Sequence, residues 1–235
     1  MEGCGEDGQV KLLGVTRSPF VARVRMALAL KGIHYEFIEE DISIQNKSEL
    51  LLQSNPVHKK IPVLIHNGKP VCESIIIVQY IEEEWDSKAP FLMPRDPYDR
   101  AVARFWAAFI DDNVFPSIVR AFRGQGEEQH KAGEESVENL LLLEEVLRST
   151  GKAYFGGDGI GLVDIALGAL LVLIQTVEKV TNIVLMDTQK SPLLSAWADQ
   201  FCKADKVKNA LPDRAELFVY LSARRAELTS PPPRN

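Results

Sequence analysis

The chain is short of cysteine, has no long apolar run and gathers no block of basic residues, and each shortage narrows what it can be. Its three cysteines, Cys4, Cys72 and Cys202, are widely spaced and odd in number. Neither a disulfide framework nor a Cys-rich metal site is expected from them, and no C-x-x-C pair exists. The most apolar stretch, Ile165 to Ile174, falls short of the ~20 residues that a bilayer-spanning helix needs. It reads as a buried helix. Lys and Arg number 27 against 33 Asp and Glu, a net charge of −6. Nucleic acid and anionic membranes are therefore not expected as main partners. A small anionic ligand stays open, because one or two placed cations suffice for it. The opening residues MEGCGEDG have no basic n-region and no apolar h-region, so no secretory signal is expected. The expected address is the cytosol, where the sequon Asn46-Lys47-Ser48 would meet no glycosylation machinery.

What is present is ordinary globular composition, 46% hydrophobic and 26% charged over 235 residues, a length comfortable for two cores. The first ninety residues mix strand and helix patterns. VKLLGV (10–15) is a buried-strand candidate. Ser18 followed by Pro19 is a strong helix start, since Pro has no N–H to be orphaned in a first turn. Val21, Val24 and Leu28 then share a face, and Gly32 suits the position just past the helix end. HYEFIEE (34–40) reads as a strand and 48–53 as a short helix stopped by Asn55-Pro56. IPVLI (61–65) and KPVC (69–72) flank Asn67-Gly68, the strongest short hairpin signal. ESIIIVQYIEEEW (73–85) closes the series as a helix.

Residues 86–97 carry three prolines and read as a linker. Beyond them no strand is predicted, and helices are expected at 98–123, 134–148, 162–180, 191–202 and 213–227. The tail SPPPRN cannot continue a helix. The expected fold is thus α/β plus all-α. A βαβ-α-ββα domain at 8–87 is followed by a linker at 88–97, a helical domain at 98–229 and a loose tail at 230–235.

Ser18-Pro19-Phe20 after the first strand, NPVHKKIPVLIHNGKPVCES (55–74), RFW (104–106) and YFGGDGIGLVDIAL (154–167) together resemble the plant tau class of cytosolic glutathione transferases. The resemblance runs from about Val10 to about Leu228. It implies a thioredoxin-like N-terminal domain, a helical C-terminal domain and a homodimer. It also implies glutathione as co-substrate, with no permanently bound cofactor and no metal.

Taken alone, Ser18 is a helix cap. The resemblance gives it a second role. A thiol near pKa 8.5 is mostly protonated at neutral pH, and a hydroxyl at a helix N-terminus favours the thiolate nucleophile. By the same resemblance Ile61 offers its main chain to the cysteinyl part of glutathione, before a structural Pro62 whose counterparts are cis. Glu73 faces the γ-glutamyl ammonium, and Ser74 with the helix start receives a carboxylate. Lys47 and Lys60 are candidates for the glycine carboxylate, although the segment before Lys47 is two residues longer than the usual pattern. Each of these residues also has an ordinary reading, as helix start, edge strand or solvated lysine.

By the same resemblance Phe20, Phe115, Val119, Phe122, Leu173 and Phe218 are expected to line the site of the apolar electrophile; all are apolar enough to be ordinary core, and Leu173 is as readily core as pocket. Tau enzymes tend to be polar or larger where Val119 and Leu173 stand, so bulky apolar acceptors are expected. The resemblance implies a folding box around Asp164, with Gly161 at the cap position where the family has Ser or Thr, and Asp164 is read as structural. Cys72 is read as a buried strand residue. The expected activity is conjugation of glutathione to alkyl or aryl electrophiles in detoxification and stress response, with hydroperoxide reduction beside it. The alternatives are a low-turnover ligandin-type carrier and a structural assembly module.

Overall fold

The computed structural model describes residues 8–41 and 46–230. Cys4, residues 42–45 of the longer segment before Lys47, and the tail from Pro231 lie outside the described residues.

Strand β1 (Val10–Gly14) leads into α1 (Pro19–Lys31), β2 (Glu36–Glu39), α2 (Glu49–Ser54), β3 (Val63–His66), β4 (Lys69–Cys72) and α3 (Ser74–Glu84). The strands form one sheet in the order β2-β1-β3-β4. β1 runs parallel to β2 and antiparallel to β3, and β3 runs antiparallel to β4. Alternation along the strands feeds both faces. Val10, Leu12 and Leu64 join the main core, while Leu13, Val63 and Ile65 pack with Leu51 of α2 on the other side. The β3–β4 turn has Asn67 at φ 51° and Gly68 at φ 77°, the doubly positive pair that an Asn-Gly hairpin provides. α1 ends at Gly32 in the left-handed region, as its position past the last apolar residue predicts.

The second half is helical: α4 (Pro97–Phe109), a π-helical segment (Ile110–Val114), α5 (Phe115–Arg123), α6 (Gly126–Thr150), α7 (Leu162–Gly168), α8 (Leu171–Thr181), α9 (Pro192–Lys203), α10 (Asp205–Lys208) and α11 (Arg214–Thr229). Three sequence expectations change here. The helix predicted over 98–123 widens into a π turn at 110–114, where Pro116 in the first turn of α5 withholds the amide that an unbroken ladder requires. The helix predicted over 162–180 breaks after Gly168, where Leu170 N–H turns back to the Leu167 carbonyl. The helix predicted over 134–148 runs on to 126–150, opening with Glu127 and Glu128 at its positive end and stopping at the left-handed Gly151.

One hydrophobic cluster runs from Val21 and Ile77 of the first half through Ile110, Ile165 and Trp197 of the second. Buried polar groups brace the first half against the linker and tie two helices within the second. Lys31 Nζ, fully buried, pairs with Glu82 at 2.6 Å and donates to the carbonyl of Lys88 at 2.7 Å. Glu144, equally buried, accepts from the amides of Leu193 and Leu194 at 3.2 and 2.7 Å. It thereby caps α9, which lacks a side-chain cap of its own.

Candidate active site

The site begins where β1 hands over to α1. A side chain at Gly14 would place Cβ 2.7 Å from Val21, so only glycine lets the start of α1 pack so closely on the strand. Ser18 is extended (φ −79°, ψ 124°), and its Oγ accepts from Val21 N–H at a long 3.4 Å. Its own proton has no acceptor among the described residues, which leaves the O–H free to donate at the positive end of a 13-residue helix.

Ser18 opens onto a cavity of about 620 Å³ between the two halves. The first half lines it with Ser18, Phe20, Lys47, Lys59, Lys60 and Ile61, and the second with Phe115, Val119, Phe122 and Leu173 among others. Phe20 and Phe115 meet edge-on with ring centroids 4.9 Å apart, closing the seam. Lys47 Nζ donates to the Lys59 carbonyl at 2.8 Å, which fixes its stem beside Lys60. The Ile61-Pro62 peptide is cis.

Phe218 is a correction. It is 43% exposed and lies outside the cavity lining, whereas Leu217, Tyr220, Leu221, Arg224 and Leu228 of the same helix line it. Those five recur at three- and four-residue spacing, which was the signal available in the sequence. Arg17 and Arg123 also line the cavity and stand apart from every motif.

Glu73 and Ser74 lie at the start of α3, outside the lining of this cavity. Glu73 holds φ 71° and is exposed, with its carboxylate 4.0 Å from His58 Nε2. No side chain caps α3, so its first amides remain open to an anion. Ser74 differs from expectation. Its side chain is buried and its Oγ accepts from Arg23 Nη1 at 3.2 Å. Arg23 is fully buried, grips both oxygens of Asp111 and donates to the Ala166 carbonyl at 3.0 Å. It also lies 5.0 Å from the Phe20 ring. One guanidinium thus joins α1, the start of α3, the π segment and α7.

Asp164 is fully buried and accepts four N–H groups: Phe155 at 3.0 Å, Gly156 at 2.8 Å, Gly161 at 2.9 Å and Trp197 Nε1 at 2.7 Å. Burial pushes its carboxyl up to about 6, against the pull of those donors. It holds a turn and an indole together, far from Ser18 in role. Burial and the neighbouring Glu73 raise the Cys72 thiol, the wrong direction for a nucleophile.

A four-stranded mixed sheet with helices on both faces, a helical second half and a hydroxyl at a helix N-terminus beside an inter-domain cavity define a thioredoxin-like two-domain protein built to bind a small ligand. Comparisons with known proteins sharpen this. The pattern of the glutathione S-transferase N-terminal domain matches residues 8–83, and that of the C-terminal domain matches residues 105–205. Glutathione S-transferase U15 of Arabidopsis thaliana is 49% identical over 220 residues, covering 92% of this chain and 94% of that protein. Glutathione transferase GST 23 of Zea mays is 47% identical, covering 94% and 97%. The crystal structure of the tau class glutathione S-transferase from mango, Mangifera indica, superposes with a TM-score of 0.86 at 45% identity, covering 92% and 98%. Rice GST1 in complex with glutathione also gives 0.86, at 37% identity over 95% and 99%. The chain belongs to the glutathione S-transferase family and, within it, to the tau class of plants.

Proposed function

We propose that the protein activates glutathione through Ser18 and conjugates it to apolar electrophiles. The observation that carries this is the unspent Ser18 hydroxyl at the N-terminus of α1, opening on a cavity lined by lysines and by aromatic rings. The hydroxyl donates to the glutathione sulfur and, with the helix dipole, favours the thiolate, while the thiol proton leaves to solvent. The thiolate then forms the C–S bond as the leaving group departs from the electrophile. Holding both partners in one cavity removes the entropic cost of their encounter.

Lys47 and Lys60 pair with the glycine carboxylate, the Ile61 main chain with the cysteinyl unit, and Glu73 and the open start of α3 with the γ-glutamyl end. Phe20, Phe115, Val119, Phe122 and Leu173 receive the electrophile. That the rice relative was crystallised in complex with glutathione supports glutathione as the ligand. We assign the enzyme to the cytosol as a homodimer; among the described residues no helix is long and apolar enough to cross a membrane.

The test is Ser18→Ala, assayed with glutathione and a chlorodinitrobenzene. Loss of one such donor is expected to lower kcat/KM by about a hundredfold, with the apparent thiol pKa rising toward that of free glutathione. An unchanged pH profile and turnover would sink the mechanism.

A further inference from the structure

We infer that Arg17, stacked on Tyr220, is an anion-recognising residue of the electrophile site, so that the preferred acceptors are apolar acids. By this we mean compounds that join an aromatic or aliphatic body to a carboxylate. The inference rests on the conjugation reading and narrows its substrate class.

The chain is acidic overall, at −6. Yet Arg17, Lys47, Lys59, Lys60, Arg123 and Arg224 all line the cavity, and among the described residues no Asp or Glu does. Glutathione accounts for the lysine side. Lys47 is fixed on the Lys59 carbonyl, and Arg224 is paired with Glu227 at 2.6 Å. Arg17 and Arg123 remain, with no ion pair or hydrogen bond among the described residues. Arg17 is the better placed of the two. Its Nε is buried without a partner, and its guanidinium lies 4.7 Å from the centroid of the Tyr220 ring.

The contact with the Tyr220 face positions the guanidinium, and its N–H groups have no partner among the described residues, so a carboxylate can meet them with two hydrogen bonds. A donor kept from water with nothing to donate to is costly unless a ligand completes it. Tyr220 lies on the same lining face of α11 as Leu217 and Leu221, so the anion position adjoins an apolar wall. A molecule with an apolar body and an acid end satisfies both surfaces. A neutral acceptor leaves the arginine unmet.

The experiment uses the full-length protein, with a chlorodinitrobenzoate and its methyl ester as matched acceptors. Dissociation constants are measured by calorimetry without glutathione, and kcat/KM with glutathione saturating. The acid is expected to bind about tenfold more tightly than the ester. That ratio should fall to about one in Arg17→Met and be largely kept in Arg17→Lys. Arg123→Met should move it less.

Equal binding of acid and ester by the parent protein would overturn the inference. So would an acid preference that survives Arg17→Met. A rise in KM for glutathione in Arg17→Met, with the acid-to-ester ratio unmoved, would assign the arginine to glutathione and equally overturn it. Turnover of the ester without acid preference leaves the conjugation reading standing and removes this one. Acid preference in calorimetry without turnover of either compound does the reverse.

Discussion

Arg23 grips Asp111 with both of its terminal nitrogens, Nη2 to Oδ1 at 2.6 Å and Nη1 to Oδ2 at 3.1 Å, across the seam between the thioredoxin-like and helical halves. The arginine is fully buried, while the Asp111 side chain keeps 32% of its exposure. Such a pair adds little net stability over an apolar alternative, but breaking it strands a buried cation. The same Nη1 that meets Asp111 also holds Ser74 at the mouth of the open helix start. The ion pair therefore sets the position of Ser74 at the start of α3 as well as the fit of two domains.

Asp111→Asn is accordingly expected to cost about 3 kcal/mol, the low end for losing one partner of a buried pair because water can reach the aspartate. It should also raise KM for glutathione more than it lowers kcat. Urea unfolding beside steady-state kinetics measures both. A variant with parental stability and an unmoved KM would show that the seam does not depend on this contact.

The order of the first seven elements was legible in the sequence, because each carried its own local signal: a Ser-Pro start, a Gly stop, an Asn-Gly turn and period-2 apolar runs. The helical half was legible in kind but less so in its breaks. A π turn and a kink after Gly168 come from packing partners distant in sequence, and single-helix periodicity does not register them. Less than half of the cavity lining could be named through the resemblance, among it Ser18, Lys60 and Ile61, which sit in specific motifs. Phe218 was misplaced because an amphipathic helix one residue out of phase presents a different face. Arg17, Arg123 and Arg224 were invisible, since they come from separate segments and belong to no shared pattern in the chain.

Asp164 and Trp197 give the next expectation. Both carboxylate oxygens are doubly engaged: Oδ1 takes Phe155 N–H and the indole, and Oδ2 takes Gly156 and Gly161 N–H. In Asp164→Asn an amide NH₂ must face two donors with nothing to accept them. A loss of about 2–4 kcal/mol is expected from unmet buried donors. Trp197 fluorescence should shift as the indole N–H is released. Glutathione kinetics at a temperature well below unfolding should change little, since no part of this cluster lines the cavity. A large drop in kcat in a fully folded Asp164→Asn would contradict the structural role.

The same aspartate predicts a pH dependence whose sign follows from its burial. The carboxyl titrates at about 6 when folded, against an ordinary value of 3.8. Between those values the folded state holds a proton that the unfolded chain has released. Stability from this group is therefore complete below about pH 4, falls as pH rises to about 6 and is flat beyond. The span corresponds to about 3 kcal/mol. Because asparagine does not titrate, the stability gap between the parent and Asp164→Asn should be wider at pH 4 than at pH 7. Parallel stability curves over that range would mean that the four N–H donors hold the carboxylate ionised throughout.

Gly168 ends α7 directly under the ring of Phe201, where an added Cβ would stand 2.2 Å from the ring carbons. Phe201 is fully buried and tilted against Trp197 with centroids 5.4 Å apart, so the ring has no free space to yield into. Gly168→Ala should therefore cost at least about 1–3 kcal/mol, the range for overpacking a tight core, despite alanine's better helix propensity. Trimming the ring in the same background, Gly168→Ala with Phe201→Leu, should recover part of that loss, because the two changes relieve one contact. A double-mutant cycle of unfolding free energies measures the coupling. Additive losses would show that helix α7 stops at Gly168 for a reason other than the ring above it.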